Sequence, residues 1–144
     1  ATMDPGTIIS NKVSGAVDPS GFIFAIASSS MFITWMKTVG GRLKSDISFS
    51  STITWNNFPL PDLDETTKKR IADAGKKVLI ARAEFPDRSL AQLYSARIME
   101  PKLIKAHDAL DREVDKAFGA PRKLTTERQR QELLFSNYAK LTNN

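Results

Sequence analysis

Phe58-Pro59-Leu60-Pro61 divides this chain in two. Each proline removes a backbone donor and biases its predecessor toward extended geometry, so no regular helix or central strand passes through the corner. The two sides differ in charge. Residues 1–64 hold four Lys/Arg against five Asp/Glu, while residues 65–144 hold seventeen against eleven. A net charge of +5 on 144 residues is therefore concentrated in the second half. At this length the chain is one domain, or part of a domain with an appendage.

Downstream of the corner the signals are helical. Asp62 or Asp64 caps a helix running to about Ala83, with Ile71, Ala74, Val78, Ala81 and Phe85 on one face. Ser89 caps a short turn carrying Leu90, Leu93 and Tyr94. Pro101 suits a first helical turn, and Leu103, His107, Leu110, Val114 and Ala117 or Phe118 follow at nearly seven-residue spacing. Gly119 and Pro121 stop that helix. Thr126 with Gln129 forms a capping box for a last helix with a narrow stripe of Leu134, Tyr138 and Leu141. Together these predict a small antiparallel helical bundle.

Upstream the pattern is mixed. Thr7-Ile8-Ile9 and residues 12–17 read as short strands, which suggests the end of a sheet whose other strands lie further upstream. Asp18-Pro19-Ser20-Gly21 is a turn, and two helices are expected over roughly 21–28 and 30–39. Gly40-Gly41 suits a left-handed cap for the second. Ile47, Phe49, Ser51, Ile53 and Trp55 alternate with Ser48, Ser50, Thr52 and Thr54, the period of a half-buried strand. If that strand begins early, Arg42, Lys44 and Asp46 share one of its faces. The predicted fold class is mainly α (α+β): a mixed N-terminal subdomain with a few short strands and two helices, then the bundle.

Catalytic chemistry is hard to find in this chain. It has no Cys and a single His, so neither a disulfide framework nor a His-rich metal site is encoded. It carries no GxGxxG and no phosphate-binding Gly-Lys-Ser/Thr loop. Asn57-Phe58-Pro59 is only superficially similar to the Asn-Pro-Pro-aromatic motif of amino-group methyltransferases, since the order is wrong and the second proline is missing. His107 reads as a structural histidine, and Asp108, Asp111 and Asp115 as solvated ion pairs with Arg112 and Lys116. No metal or cofactor site is expected. No apolar run approaches the roughly 18 residues of a membrane span, and a cysteine-free chain is compatible with the cytoplasm. The remaining signal is basic residues with interleaved aromatics. Arg42, Lys44, Trp55, Asn56 and Asn57 combine donors, acceptors and a stacking surface, which suits DNA. The same spacing also describes a surface Lys–Asp pair with no partner.

Two blocks resemble the end of the target-recognition domain of MmeI-like (type IIL) restriction–modification enzymes. They are Met31-Phe32-Ile33-Thr34-Trp35-Met36-Lys37-Thr38-Val39-Gly40-Gly41-Arg42-Leu43-Lys44-Ser45-Asp46 and Trp55-Asn56-Asn57-Phe58-Pro59-Leu60-Pro61. Residues 81–94, 105–111 and 134–138 are similar to that family's C-terminal helical segment. The resemblance implies that residues 1–61 are the C-terminal portion of a recognition domain and 62–144 a C-terminal helical domain. It implies an adenine-specific DNA methyltransferase as parent, using S-adenosylmethionine held outside this chain. It places Lys44 and Asp46 among the base-reading positions, with Arg42 and Asn56 beside them. A Lys with an Asp suits a G·C pair, Lys donating to guanine O6 or N7 and the carboxylate accepting from the cytosine amino group.

The expected partners are double-stranded DNA and an upstream methyltransferase domain of the same polypeptide. Exposed edges of a truncated sheet would pair between copies, so the expected homodimer is one that depends on where the chain is cut. The competing expectation is a helical docking module without DNA contact, motivated by the Leu103, His107, Leu110, Val114 stripe.

Overall fold

The computed structural model describes residue 6 and residues 14–43, 46–95 and 99–143. Helix α1 is Phe22–Ala27 and α2 is Ser30–Val39. A two-residue pair follows, β1 Arg42–Leu43 and β2 Asp46–Ile47, and then a π-helical turn at Ser51–Trp55. Beyond the proline corner come α3 Glu65–Ala83, α4 Leu90–Leu93, α5 Pro101–Ala117 and α6 Glu127–Thr142.

Most helix ends follow local chemistry. The Asp18 carboxylate accepts from the Gly21 and Phe24 amides at 3.0 and 2.8 Å, which satisfies donors at the start of α1. Ser29 caps α2 by accepting from Phe32 N–H, while its own hydroxyl donates to the Ile26 carbonyl at 2.7 Å. One buried serine thus stitches α1 to α2. Asp64 caps α3 through Thr67 N–H, and this bond holds its carboxyl below the usual carboxylate range. Ser89 with Gln92 and Thr126 with Gln129 form capping boxes, and Gly119 leaves α5 at φ 93°.

One core joins both sides of the proline corner. Ala25, Ile26, Met31 and Trp35 pack with Ile71, Val78, Leu103, Leu110, Val114 and Leu134. Helix α3 lies between α1 and α5, and α6 packs along α2. Gly75 makes the α1–α3 approach possible, because a Cβ there would stand 2.6 Å from the Ala25 Cβ and 3.0 Å from its Cα. Helices α1 and α2 thus share their core with the helices that follow the proline corner.

The chain is mainly α, but the few short strands expected of the N-terminal subdomain are overturned. Among the described residues, extended pairing is reduced to two residues on each side of one antiparallel hairpin. Residues 14–17 form no strand, and Thr7-Ile8-Ile9 lies outside the described residues. The alternating run 47–55 becomes mostly a π turn, closed by the Asn56 N–H on the Ser51 carbonyl at 2.9 Å. Its serines and threonines explain the change. Ser50 Oγ accepts from Ile53 N–H, Thr54 Oγ1 donates to the Ser50 carbonyl, and Asn57 Nδ2 donates to the Thr52 and Ile53 carbonyls. Such local side-chain bonds compete with a ladder for the same backbone groups. Alternation of β-branched and hydroxyl residues looks like a strand but here supplies the bonds of a turn.

Candidate nucleic-acid interface

The hairpin grows from the end of α2. Gly40 N–H donates to the Met36 carbonyl at 2.9 Å, then the chain turns out with φ −71° and ψ 149°. This is extended, not left-handed, so the cap expected at Gly40 does not form. Glycine is needed there for a different reason. A Cβ would collide with the Met36 carbonyl oxygen and lie 3.2 Å from the Ser48 carbonyl oxygen. The Ser48 N–H returns to the Gly41 carbonyl at 2.9 Å, closing the root.

Between these points Arg42 pairs with Ile47, and Leu43 with Asp46. Arg42 and Asp46 therefore belong to two antiparallel strands, and their spacing along a single strand face does not apply. Lys44 and Ser45, which link the strands, lie outside the described residues.

The return path is pinned to α2. Trp35 Nε1 donates to the Thr54 carbonyl at 2.8 Å in the core. Trp55 packs edge-on against Phe32 at 5.3 Å, and Phe58 against Phe32 at 5.1 Å and Phe118 at 5.4 Å. Trp55 is thus tied to the aromatic core through Phe32 while remaining partly exposed. Asn56 and Asn57 are exposed at the end of the π turn, Asn57 with its amide committed to two carbonyls. Phe49 and Ile53 are 44% and 54% exposed. A groove of about 260 Å³ lined by Phe22, Ile23, Trp55, Asn56 and Leu60 opens next to that turn.

Helix α6 flanks α2 on another side. Glu127 pairs with Lys37 at 2.7 Å, and Gln131 Nε2 donates to Thr38 Oγ1 at 3.1 Å. Phe135 and Tyr138 meet the Trp35 ring at 6.4 and 5.8 Å. A second lock lies behind. Arg130 makes a bidentate pair with Asp115, Nε–Oδ1 3.0 Å and Nη2–Oδ2 2.8 Å. Asp111 accepts from the Ser30 amide and hydroxyl at 2.8 and 2.6 Å and stands 3.8 Å from Arg130. These contacts join α2, α5 and α6. Asp115 is only 2% exposed, so the expectation of solvated ion pairs fails there, and burial pushes its carboxyl up while Arg130 draws it back.

His107 is half-buried and bonded. Its Nε2 lies 2.6 Å from the Tyr94 hydroxyl, which accepts from Arg82 Nε at 2.7 Å. No local signal near Trp35, Thr54, Glu127 or Gln131 marks them as supports, because their partners lie far along the chain.

A short hairpin is joined at its root to a helical platform. Comparison with known proteins gives the class of the chain. Residues 1–62 match the family model for the MmeI target recognition domain, and residues 63–144 match that for the MmeI C-terminal domain. The chain belongs to the MmeI family. It is 34% identical over 136 residues to DNA methyltransferase A of Bacillus subtilis (strain 168), covering 94% of this chain and 15% of that protein. It is also similar to a solved structure of the type IIL restriction–modification enzyme MmeI in complex with DNA, with TM-score 0.81 and 39% identity. That likeness covers 86% of this chain and 16% of the other. The chain thus spans about one sixth of the length of each relative.

Proposed function

We propose that this chain is the DNA-reading end of an adenine-specific methyltransferase in a bacterial restriction–modification system. The hairpin would read bases and the basic helices would contact phosphates. The observation that carries the reading is the hairpin's anchorage at both ends of residues 40–54, at Gly40 and at the Trp35–Thr54 bond. Preorganised display of a few polar residues on a rigid support is what base readout requires. In this proposal Lys44 and Asp46 read one G·C pair, with Arg42 and Asn56 nearby. The partners are double-stranded DNA and an upstream methyltransferase domain, and the setting is the cytoplasm. No described helix is long and apolar enough to cross a membrane.

S-adenosylmethionine would be held by that upstream domain. The described residues do not fit it. The polar cleft lined by Asp108, Asp111 and Asp115 has Asp111 and Asp115 committed to Ser30 and Arg130, and the apolar groove beside Trp55 has no carboxylate to hold ribose hydroxyls.

The docking-module reading loses its motivating feature. Leu103, Leu110 and Val114 are buried inside this chain, against α3. They are not free to receive another domain.

The test is selection of bound duplexes from a randomised pool. Changing Lys44 and Asp46 together to Ala should abolish preference at one base pair and spare the others. A uniform fall in affinity for all sequences would reduce the hairpin to a backbone contact.

A further inference from the structure

We propose that Glu127 and Gln131 of α6 are positioning residues for the recognition hairpin. This deepens the base-reading proposal and rests on it for its functional consequence. The two residues are four apart, so they share a helix face. They grip consecutive residues of the last turn of α2, Glu127 on Lys37 at 2.7 Å and Gln131 on Thr38 at 3.1 Å. Thr38 Oγ1 donates in turn to the Thr34 carbonyl at 2.7 Å, so the grip reaches the backbone of α2. Gly40 follows two residues later, and the hairpin root closes there between Gly41 and Ser48.

The same face continues to Phe135 and Tyr138 on Trp35, the residue that holds the π turn after the hairpin at Thr54. One helix thus supports both ends of the hairpin segment, at Lys37–Thr38 and through Trp35. Trp35 is buried and serves the core. The Lys37–Glu127 pair is different: its side chains are 39% and 46% exposed. An exposed pair shifts a folding equilibrium by at most about fivefold. Loss of the pair should therefore leave the global fold nearly unchanged, so that a local effect at the hairpin root can be read separately. In this proposal the C-terminal helix holds the end of α2 from which the hairpin starts.

The experiment compares the full chain with the double variant Glu127→Gln, Gln131→Ala by site-resolved amide hydrogen exchange. Exchange at Gly40 and Ser48 should accelerate roughly threefold to tenfold, the effect of losing two surface contacts. Exchange at Val78 and Val114 should stay unchanged. Glu127→Asp with Gln131 retained should restore most of the protection. Arg128→Gln, which breaks only the exposed Arg128–Glu132 pair, should leave the hairpin unaffected. Unchanged exchange at Gly40 and Ser48, or uniform acceleration that includes Val78 and Val114, overturns the proposal. Duplex selection forms the second arm: the variant's bound pool should lose preference at hairpin-read positions with total retention unchanged. Full preference retained despite faster exchange also overturns it. A pool with no preference even for the unaltered chain would sink the base-reading proposal alone, and the exchange arm would still decide whether α6 braces the hairpin.

Discussion

Trp35 Nε1 donates to the Thr54 carbonyl at 2.8 Å, across nineteen residues of sequence and inside the core. This bond makes the hairpin segment a loop closed at both ends rather than an appendage of α2. Trp35→Phe keeps the ring packing but leaves the Thr54 carbonyl without its donor. Thr54 is fully buried, so the unpaired acceptor should cost about 1–3 kcal/mol. Urea denaturation measures the loss, and amide exchange over residues 50–55 should rise more than over α5.

Gly40 separates the hairpin from the core in a second test. Gly40→Ala must push a methyl into the Met36 and Ser48 carbonyl oxygens. The hairpin root should open, with faster exchange at Ser48. The α3–α5 packing lies elsewhere and should be retained. A spectrum perturbed throughout α3 and α5 would contradict this separation.

Gly75 sets two magnitudes against each other. Replacing a mid-helix glycine by alanine favours α3 by about 1 kcal/mol. The new Cβ, however, meets Ala25 at 2.6 Å, with backbone at 3.0 Å that cannot rotate away. Overpacking of this kind costs about 1–3 kcal/mol. Gly75→Ala should therefore destabilise on balance, and Gly75→Val more so, as read from thermal unfolding.

The Asp115–Arg130 pair should be unforgiving of single changes. Asp115→Ala leaves a guanidinium 11% exposed with only the more distant Asp111 carboxylate at 3.8 Å. Breaking a buried pair in this way costs about 3–5 kcal/mol. Asp115→Leu combined with Arg130→Met should recover much of that loss in chemical denaturation, since both members of the pair are removed and Asp111 keeps its bonds to Ser30.

His107 predicts a pH dependence. Burial lowers its pKa from the ordinary 6.5, and Arg82 adds to this against the opposing Asp111 and Asp108 carboxylates. With Nε2 unprotonated the ring accepts from the Tyr94 hydroxyl, an arrangement that protonation of that nitrogen removes. The unfolded chain binds the proton first as pH falls below 6.5. Stability contributed here is therefore complete above about pH 6.5 and declines as pH drops toward the lower folded value. His107→Gln should flatten that decline, as seen in urea midpoints at pH 7.5 and 5.5.

Much of the helical plan was legible because its signals are local. Asp64, Ser89, Thr126 with Gln129, Pro101 and Gly119 each act within one turn of their own position. The buried faces of α3 and α5 follow from periodicity, as Ile71, Val78, Leu103 and Leu110 show. The run 47–55 misled because period two reports side-chain alternation but not which partner takes the backbone hydrogen bonds. Ser50, Thr54 and Asn57 took them locally. The packing of Trp55 on Phe32 was not legible for a related reason: the sequence neighbours of an aromatic do not show which ring it meets.

The sequence by itself determined where helices start and stop, which of their faces are apolar, and the family to which residues 31–61 and the helices after them are similar. Those properties depend on groups a few residues apart. The tertiary structure alone decided that α6 would lie on α2, that Gly75 would meet Ala25, and that the candidate hairpin would be held at Gly40 and through Trp35 at Thr54. Each of those choices pairs groups from separate elements, and each is selected by shape and by the cost of leaving a buried donor, acceptor or charge unpaired.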